Sequence, residues 1–259
     1  MNTSFDLSFA AVDILSAGLR ISCRLFPFRL PSVGYYVEDR IRIAHAVRDD
    51  LRRRGLSSAT DLEPEVERAL RVLGEPQLAV AAVGSVEDGR ELCARVSAAG
   101  RYGVLVVQQR EGLRFELIRP EALVHTAVGL LPGWKAGRGT PVTITGWATQ
   151  PRADGDQPLA VSVRVTGPPA DPAHRAAQEI LRRPRQGGGL FVASAHDSGG
   201  RERKAPTLGW IDTDAGRYLT VASTDKRGDN RTTFAPADQA RLTQKLAELL
   251  DSVRAIPAR

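Results

Sequence analysis

The strongest constraint on the fold is a spacing. GRYGVL begins at residue 100 and GRYLTV at residue 216, and the same offset of 116 joins Gly112 to Gly228, Pro120 to Pro236 and Leu130 to Leu246. Aligned without a gap, residues 100–131 and 216–247 share six residues, where composition alone gives about two. The shared positions fall at turns and at a helix start, where chain geometry is decided. An internal duplication is predicted. A period above one hundred residues is too long for a solenoid repeat, so two similar halves should pack into one body.

The flanking patterns agree. Residues 36–54 place Val37, Ile41, Ala44, Val47 and Leu51 on one helical stripe. Gly55 supplies a left-handed position after it, and Arg52, Arg53 and Arg54 suit the dipole of the last turn. A second helix begins near Pro64 and stops at Gly74. Four strands are predicted at about 77–84, 90–98, 102–109 and 113–119. In the last, Phe115 and Leu117 alternate with Arg114 and Glu116, which means one buried and one wet face. Gly112 marks the turn before it, and Pro120 opens a helix to about residue 131.

From residue 171 the order recurs. Asp171-Pro172 is an N-cap followed by a first-turn proline, opening a helix to about Arg183. Strands are predicted near 189–196, 206–212, 217–223 and 230–235. Pro236 then opens a helix to about Val253, with Leu242, Leu246, Leu249, Leu250 and Val253 on its core stripe. The fold class is therefore α+β: one domain over 1–259, built of two helix–four-strand–helix halves with antiparallel sheets related by a pseudo-two-fold axis. The halves span about 1–135 and 140–259, and the Pro-, Gly- and Asp-rich stretch 148–171 reads as their connector.

The net charge is +6, from 36 basic and 30 acidic residues. A pI of 9.8 permits an anionic partner. The signs are interspersed and no long basic tail exists, so a nucleic-acid-binding module rests on the pI alone. Cys23 and Cys93 belong to no CxxC, which fits a reducing compartment with both thiols acting as small hydrophobes. The N-terminus lacks an early basic cluster, and Asp6 and Asp13 interrupt its apolar run, unlike a signal peptide. No stretch approaches the ~18 apolar residues of a membrane span. The chain reads as cytoplasmic.

No constellation of residues looks catalytic. His45, His125, His174 and His196 are scattered without metal-ligand spacing. HDSGG at 196–200 sets His, Asp and Ser side by side, where they cannot line up as base, orienter and nucleophile. DTDAG at 212–216 resembles two hydrolase signatures and completes neither, so Asp212 and Asp214 read as closing a hairpin. A hydrolase using that pair is the third reading. GGGLF at 187–191 leads into a strand and reads as a flexible lead-in. No catalytic, cofactor or metal residue is predicted, which points to a binding protein.

The chain resembles the EspG family, the cytosolic chaperones of type VII (ESX) secretion systems. The resemblance is carried by LRRRGL at 51–56, LEPEVERALRVLGEPQLAV at 62–80 and GRYGVLVV at 100–107. GGGLFVAS at 187–194, LGWIDTDAGRYLTV at 208–221 and FAPADQARLTQKLAELL at 234–250 complete it in family order. It implies a quasi-two-fold α+β fold and no nucleotide. It also implies a PE–PPE heterodimer as partner, whose apolar tip is covered until the substrate reaches the secretion machinery. Nucleic acid and stable membrane insertion are not expected. The loop implied to hold the partner is Ser85, Val86, Glu87 and Asp88, with a second-half counterpart at 197–205 that carries Arg201, Arg203 and Lys204.

Overall fold

The computed structural model describes residues 4–87, 89–145, 150–151, 161–162, 171–197, 199–224 and 230–254. It divides into two compact units whose segments interleave along the chain. One holds the described residues up to Ala79, with Cys93–Leu123 and His196–Arg201; the other holds Val80–Leu92, Val124–Ala195 and the described residues from Glu202 onward.

The first unit opens with strand β1 (Ser4–Ser8) and helix α1 (Phe9–Leu19). Ser8 caps that helix by accepting a hydrogen bond from the Ala11 amide. Helices α2 (Val37–Arg53) and α3 (Pro64–Gly74) follow. The expected α2 stripe divides in two: Val47 and Leu51 are buried, whereas Val37 and Ile41 are exposed. In α3, Val66, Ala69, Leu70, Val72 and Leu73 are buried, so nearly every apolar side chain is used.

Next in the chain comes strand β2 (Leu78–Val86), most of which belongs to the second unit, and then β3 (Arg90–Ala99), β4 (Tyr102–Gln108) and β5 (Gly112–Ile118). β3, β4 and β5 pair antiparallel in that order, and β1 adds to the far side of β5. That edge strand has no counterpart in the expected pattern. It also explains Gly112, which starts β5 opposite Ser8: a side chain there would drive into the Leu7 carbonyl, so close approach and not a turn requires glycine. Phe5 stacks on Phe115 with centroids 5.1 Å apart, over a core of α1, α2 and α3 side chains with Val104, Val106 and Leu113. Pro120 begins a single 3-10 turn that runs into helix α4 (Leu123–Gly129).

In the second unit, β6 (Val142–Thr145) and the two-residue pair β7 (Gln150–Pro151) and β8 (Val161–Ser162) precede helix α5 (Pro172–Arg182). Most of the expected connector lies outside the described residues. Asp171 caps α5 as expected. Its carboxylate accepts from the Ala173 amide and faces His174, which hold its pKa below the usual carboxylate range. Strands β9 (Arg185–His196), β10 (Glu202–Lys204), β11 (Leu208–Thr213), β12 (Gly216–Thr224) and β13 (Asn230–Pro236) lead to α6 (Gln239–Arg254). The antiparallel order is β9–β11–β12–β13–β6, with β10 on β9.

Two expectations shift here. Pro236 ends β13 opposite Tyr218 and does not open a helix; Asp238 starts α6 by accepting from the Arg241 amide. Gly187–Gly189 is also no flexible lead-in. These glycines lie within β9, and side chains on Gly187 and Gly189 would meet the Ser85 and Val83 carbonyls of β2, with the Trp210 indole also against Gly189. The glycines allow tight packing. The α6 stripe is buried as predicted, from Leu242 through Val253.

In chain order α3, β2 to β5 and α4 are followed by α5, β9, β11 to β13 and α6, while β1, α1, α2, β6, β7, β8 and β10 stand outside the expected helix–four-strand–helix pattern. The hydrogen-bond registers, however, do not repeat at one offset. In the first half Ala99 pairs with Tyr102, so the turn is Gly100-Arg101. In the second Thr213 pairs with Gly216, so the turn is Asp214-Ala215. Gly228 lies outside the described residues.

Candidate partner-binding surface

The first expected loop is shorter than its four residues suggest. β2 runs through Val86 and β3 resumes at Arg90, whose amide donates to the Glu87 carbonyl at 3.2 Å. Val86 is fully buried, Ser85 is half-buried and Glu87 is exposed; Asp88 lies outside the described residues. Of the described residues in this hairpin, Glu87 is the exposed charged one, and the Val86 side chain belongs to the core.

The second loop is more structured than expected, because β10 occupies its return. The Asp197 carboxylate accepts from the Gly199 and Arg201 amides at 3.0 and 2.9 Å, the geometry of an Asx turn. The Ala205 amide then rejoins β9 at the Ala193 carbonyl. Arg201 and Lys204 are exposed and Arg203 is half-buried; Lys204 pairs with Glu202 at 3.2 Å. Exposed ammonium and guanidinium groups at a hairpin tip suit recognition of acidic groups, but such surface pairs contribute little to stability.

Asp212 is no loop residue. It sits in β11, 1% exposed, directly opposite Arg217 on β12. Arg217 Nε and Nη2 donate to its two oxygens at 2.5 and 2.9 Å, and Nη2 also reaches the Pro132 carbonyl at 3.0 Å. That bidentate pair engages both carboxylate oxygens in the interior. Asp214, in the turn, lies 3.4 Å from Arg183. The two carboxylates therefore serve separate structural tasks. A turn placed at 214–215 was the missing signal, since it sets residues 212 and 217 face to face.

Burial pushes the Cys23 thiol up to about 12, which suits an inert apolar role. Among the described residues no group of three or more His, Cys, Asp or Glu side chains could hold a metal. No described helix is long and apolar enough to cross a membrane. The feature that stripe analysis missed is an exposed apolar cluster at the start of α2: Tyr35, Tyr36, Val37 and Ile41. Helical periodicity places such side chains on a common face but cannot say whether anything covers it.

Comparison with known proteins adds the family. The profile of the EspG family matches residues 8–248. No curated protein matches the sequence. Among solved structures, the fold resembles the Mycobacterium tuberculosis type VII secretion system chaperone EspG5 in complex with a PE25-PPE41 dimer. The match has a TM-score of 0.63 at 12% identity and covers 99% of both chains.

Proposed function

The chain belongs to the EspG family, and from that premise we propose that it is a cytosolic chaperone of a type VII secretion system. Its partner is a PE–PPE-like helical pair, whose apolar tip it covers until export. It acts by binding and not by catalysis. The observation that carries this reading is the family match over residues 8–248. The likeness in fold to EspG5, solved with a PE25-PPE41 dimer, supports it.

The physical logic is simple. An exposed apolar tip on a helical substrate is an aggregation site, and covering it removes the hazard. A chaperone must also release its cargo, so an interface of moderate size suits the task. Within that reading the turn at Ser85–Asp88 and the hairpin carrying Arg201, Arg203 and Lys204 contribute contacts through exposed charges.

Co-expression with a PE–PPE heterodimer from the same organism is the test. Co-purification of a soluble complex is expected, with the substrate moving to the insoluble fraction when the chaperone is withheld. A substrate that stays soluble alone would remove the need for a chaperone. Reversal of charge at Glu87, or at Arg201 and Lys204, should leave folding intact, because exposed substitutions shift stability by under ~0.5 kcal/mol. Retention of the substrate by both variants would exclude these tips from the interface.

A further inference from the structure

Helices α1 and α2 and the loop at 57–62 enclose a groove of about 320 Å³ within the first unit. Its walls are apolar, with half-buried Ile14, Leu15, Leu19 and Leu62 beside buried Val47 and Leu51. Two polar side chains that line it are unmatched. The Ser57 hydroxyl is buried and makes no hydrogen bond among the described residues. The loop around it is nonetheless closely tied: the Ser58 amide donates to the Asp61 carbonyl at 2.7 Å, and the Glu63 amide to the Leu56 carbonyl at 3.0 Å. Arg42, Arg53 and Arg54 pair with Asp39 or Asp50, whereas Arg48 forms no ion pair among the described residues. Gly18, in the α1 wall, is the third feature. A side chain there would begin in open space, with no neighbouring atom within 4 Å, so no close approach requires glycine at this helical position. We propose that the groove binds a medium-chain fatty acid.

The lining selects that ligand. A buried hydroxyl without a partner is costly, and its presence in a native fold calls for a water or a ligand beside it. A carboxylate accepts from both the Ser57 hydroxyl and the Arg48 guanidinium, and charge-assisted bonds of this kind are the strong ones. The alkyl chain then covers the leucine and isoleucine walls, since small-molecule sites combine a mostly apolar lining with a few polar groups. At roughly 30 Å³ for each water-sized group, the volume suits a chain of about ten carbons. Asp61 also lines the groove, but it is exposed and accepts from the Thr60 hydroxyl at 2.6 Å. Its charge opposes an anion, so Arg48 and Ser57 hold the head group and Asp61 weakens that hold. The site involves neither candidate tip and does not rest on the chaperone reading.

Isothermal titration of decanoate into the full chain should show a single site with a dissociation constant of about 10 µM. Octanoate, two methylenes shorter, should bind about fifteenfold more weakly, at about fourfold for each buried methylene. Decylamine, with the same chain and the opposite charge, should bind at least about tenfold more weakly than decanoate. Gly18→Leu should abolish binding by filling the groove, and it puts a better helix former in α1, so folding is preserved. Arg48→Gln should weaken decanoate about tenfold. Ser57→Ala should weaken it about fivefold yet raise the melting temperature of the free chain, because the unpaired hydroxyl is gone. Asp61→Asn should tighten binding. A chain that takes up no decanoate at about 1 mM would overturn the proposal. So would Gly18→Leu and Arg48→Gln chains that bind as the wild type does, or decylamine that binds as tightly as decanoate, since either would reduce the uptake to unspecific apolar adsorption.

Discussion

Gly-Arg-Tyr is written twice, and the two copies meet different fates. Arg101 stands at an exposed turn, its Nε donating to the Tyr102 hydroxyl at 2.9 Å, while Arg68 lies 4.4 Å over the same ring. Arg217 is wholly buried, held by Asp212 and Pro132. Its backbone also carries a strap: the Arg217 amide donates to the Lys135 carbonyl, and the Gly137 amide donates to the Arg217 carbonyl, both at 2.8 Å. Tyr218 completes the strap, its hydroxyl donating to the Arg138 carbonyl at 3.0 Å. Where Asp212 stands, the offset of 116 places Val96 in the first half. A guanidinium without a carboxylate stays in water, and one with a carboxylate and a carbonyl beside it can be buried. Identical local sequence therefore fixes neither the turn nor the surroundings: Gly100-Arg101 forms the turn itself, whereas Gly216-Arg217 already lies in β12.

The largest test of this contrast is truncation of each arginine. Arg217→Ala leaves Asp212 buried without its partner and should destabilise the chain by about 3–5 kcal/mol. Arg101→Ala should fall within about 0.5 kcal/mol of wild type. Urea unfolding of both variants measures the gap, and equal effects would break the comparison. Arg217→Met with Asp212→Leu should recover much of the loss, since an apolar pair of similar volume avoids the stranded charge.

The tyrosines give a smaller difference. Tyr218→Phe removes a hydroxyl that bonds both the carbonyl and the amide of Arg138, at 3.0 and 3.1 Å, and should cost about 1 kcal/mol. Tyr102→Phe keeps the ring beneath Arg68 and loses one exposed bond, so its effect should be smaller still. Thermal melts of the pair, with hydrogen exchange at residues 135–138, would show whether the strap loosens only in the first variant.

The smallest effect concerns the first unit's own charged brace. Asp13 loses solvation on burial, which raises its pKa, but hydrogen bonds from Arg24 and Arg40 outweigh that and leave it below its ordinary 3.8. A lowered folded pKa means stability that is present above 3.8 and lost as the pH falls through the folded value. Both arginines remain partly in water, so screening limits the contribution to less than about 1 kcal/mol. Wild type should exceed Asp13→Asn in stability at pH 7, and the two should converge on acidification toward pH 3. A constant difference would mean that Asp13 acts through packing alone.

Local rules carried the sequence reading a long way. Pro64 and Gly74 bound α3, Asp171 caps α5, and the five apolar residues assigned to α6 are all buried. Each depends on residues within about two turns of one another. The misses share one cause. β1 and β6 are short edge strands whose partners, β5 and β13, lie far along the chain, and the alternation in β1 spans only five residues. Gly112 and Gly189 owe their identity to backbones brought against them from β1 and β2. The two candidate tips were located in the sequence as breaks between strands, yet the burial of Val86 and the addition of β10 to β9 depend on what packs beside them.

The sequence by itself determined where most helices and strands lie, though not α1 or β1, and the family to which the chain belongs. Capping, periodicity and turn chemistry are written in neighbouring residues. Only the tertiary structure decided that Arg217 is buried and Arg101 is not, or that Ile41 on the α2 stripe faces water while Val47 does not. Burial is a property of the surroundings, and the groups that create it here, such as Trp134 bonded to Thr213 across 79 residues, are brought together only by folding.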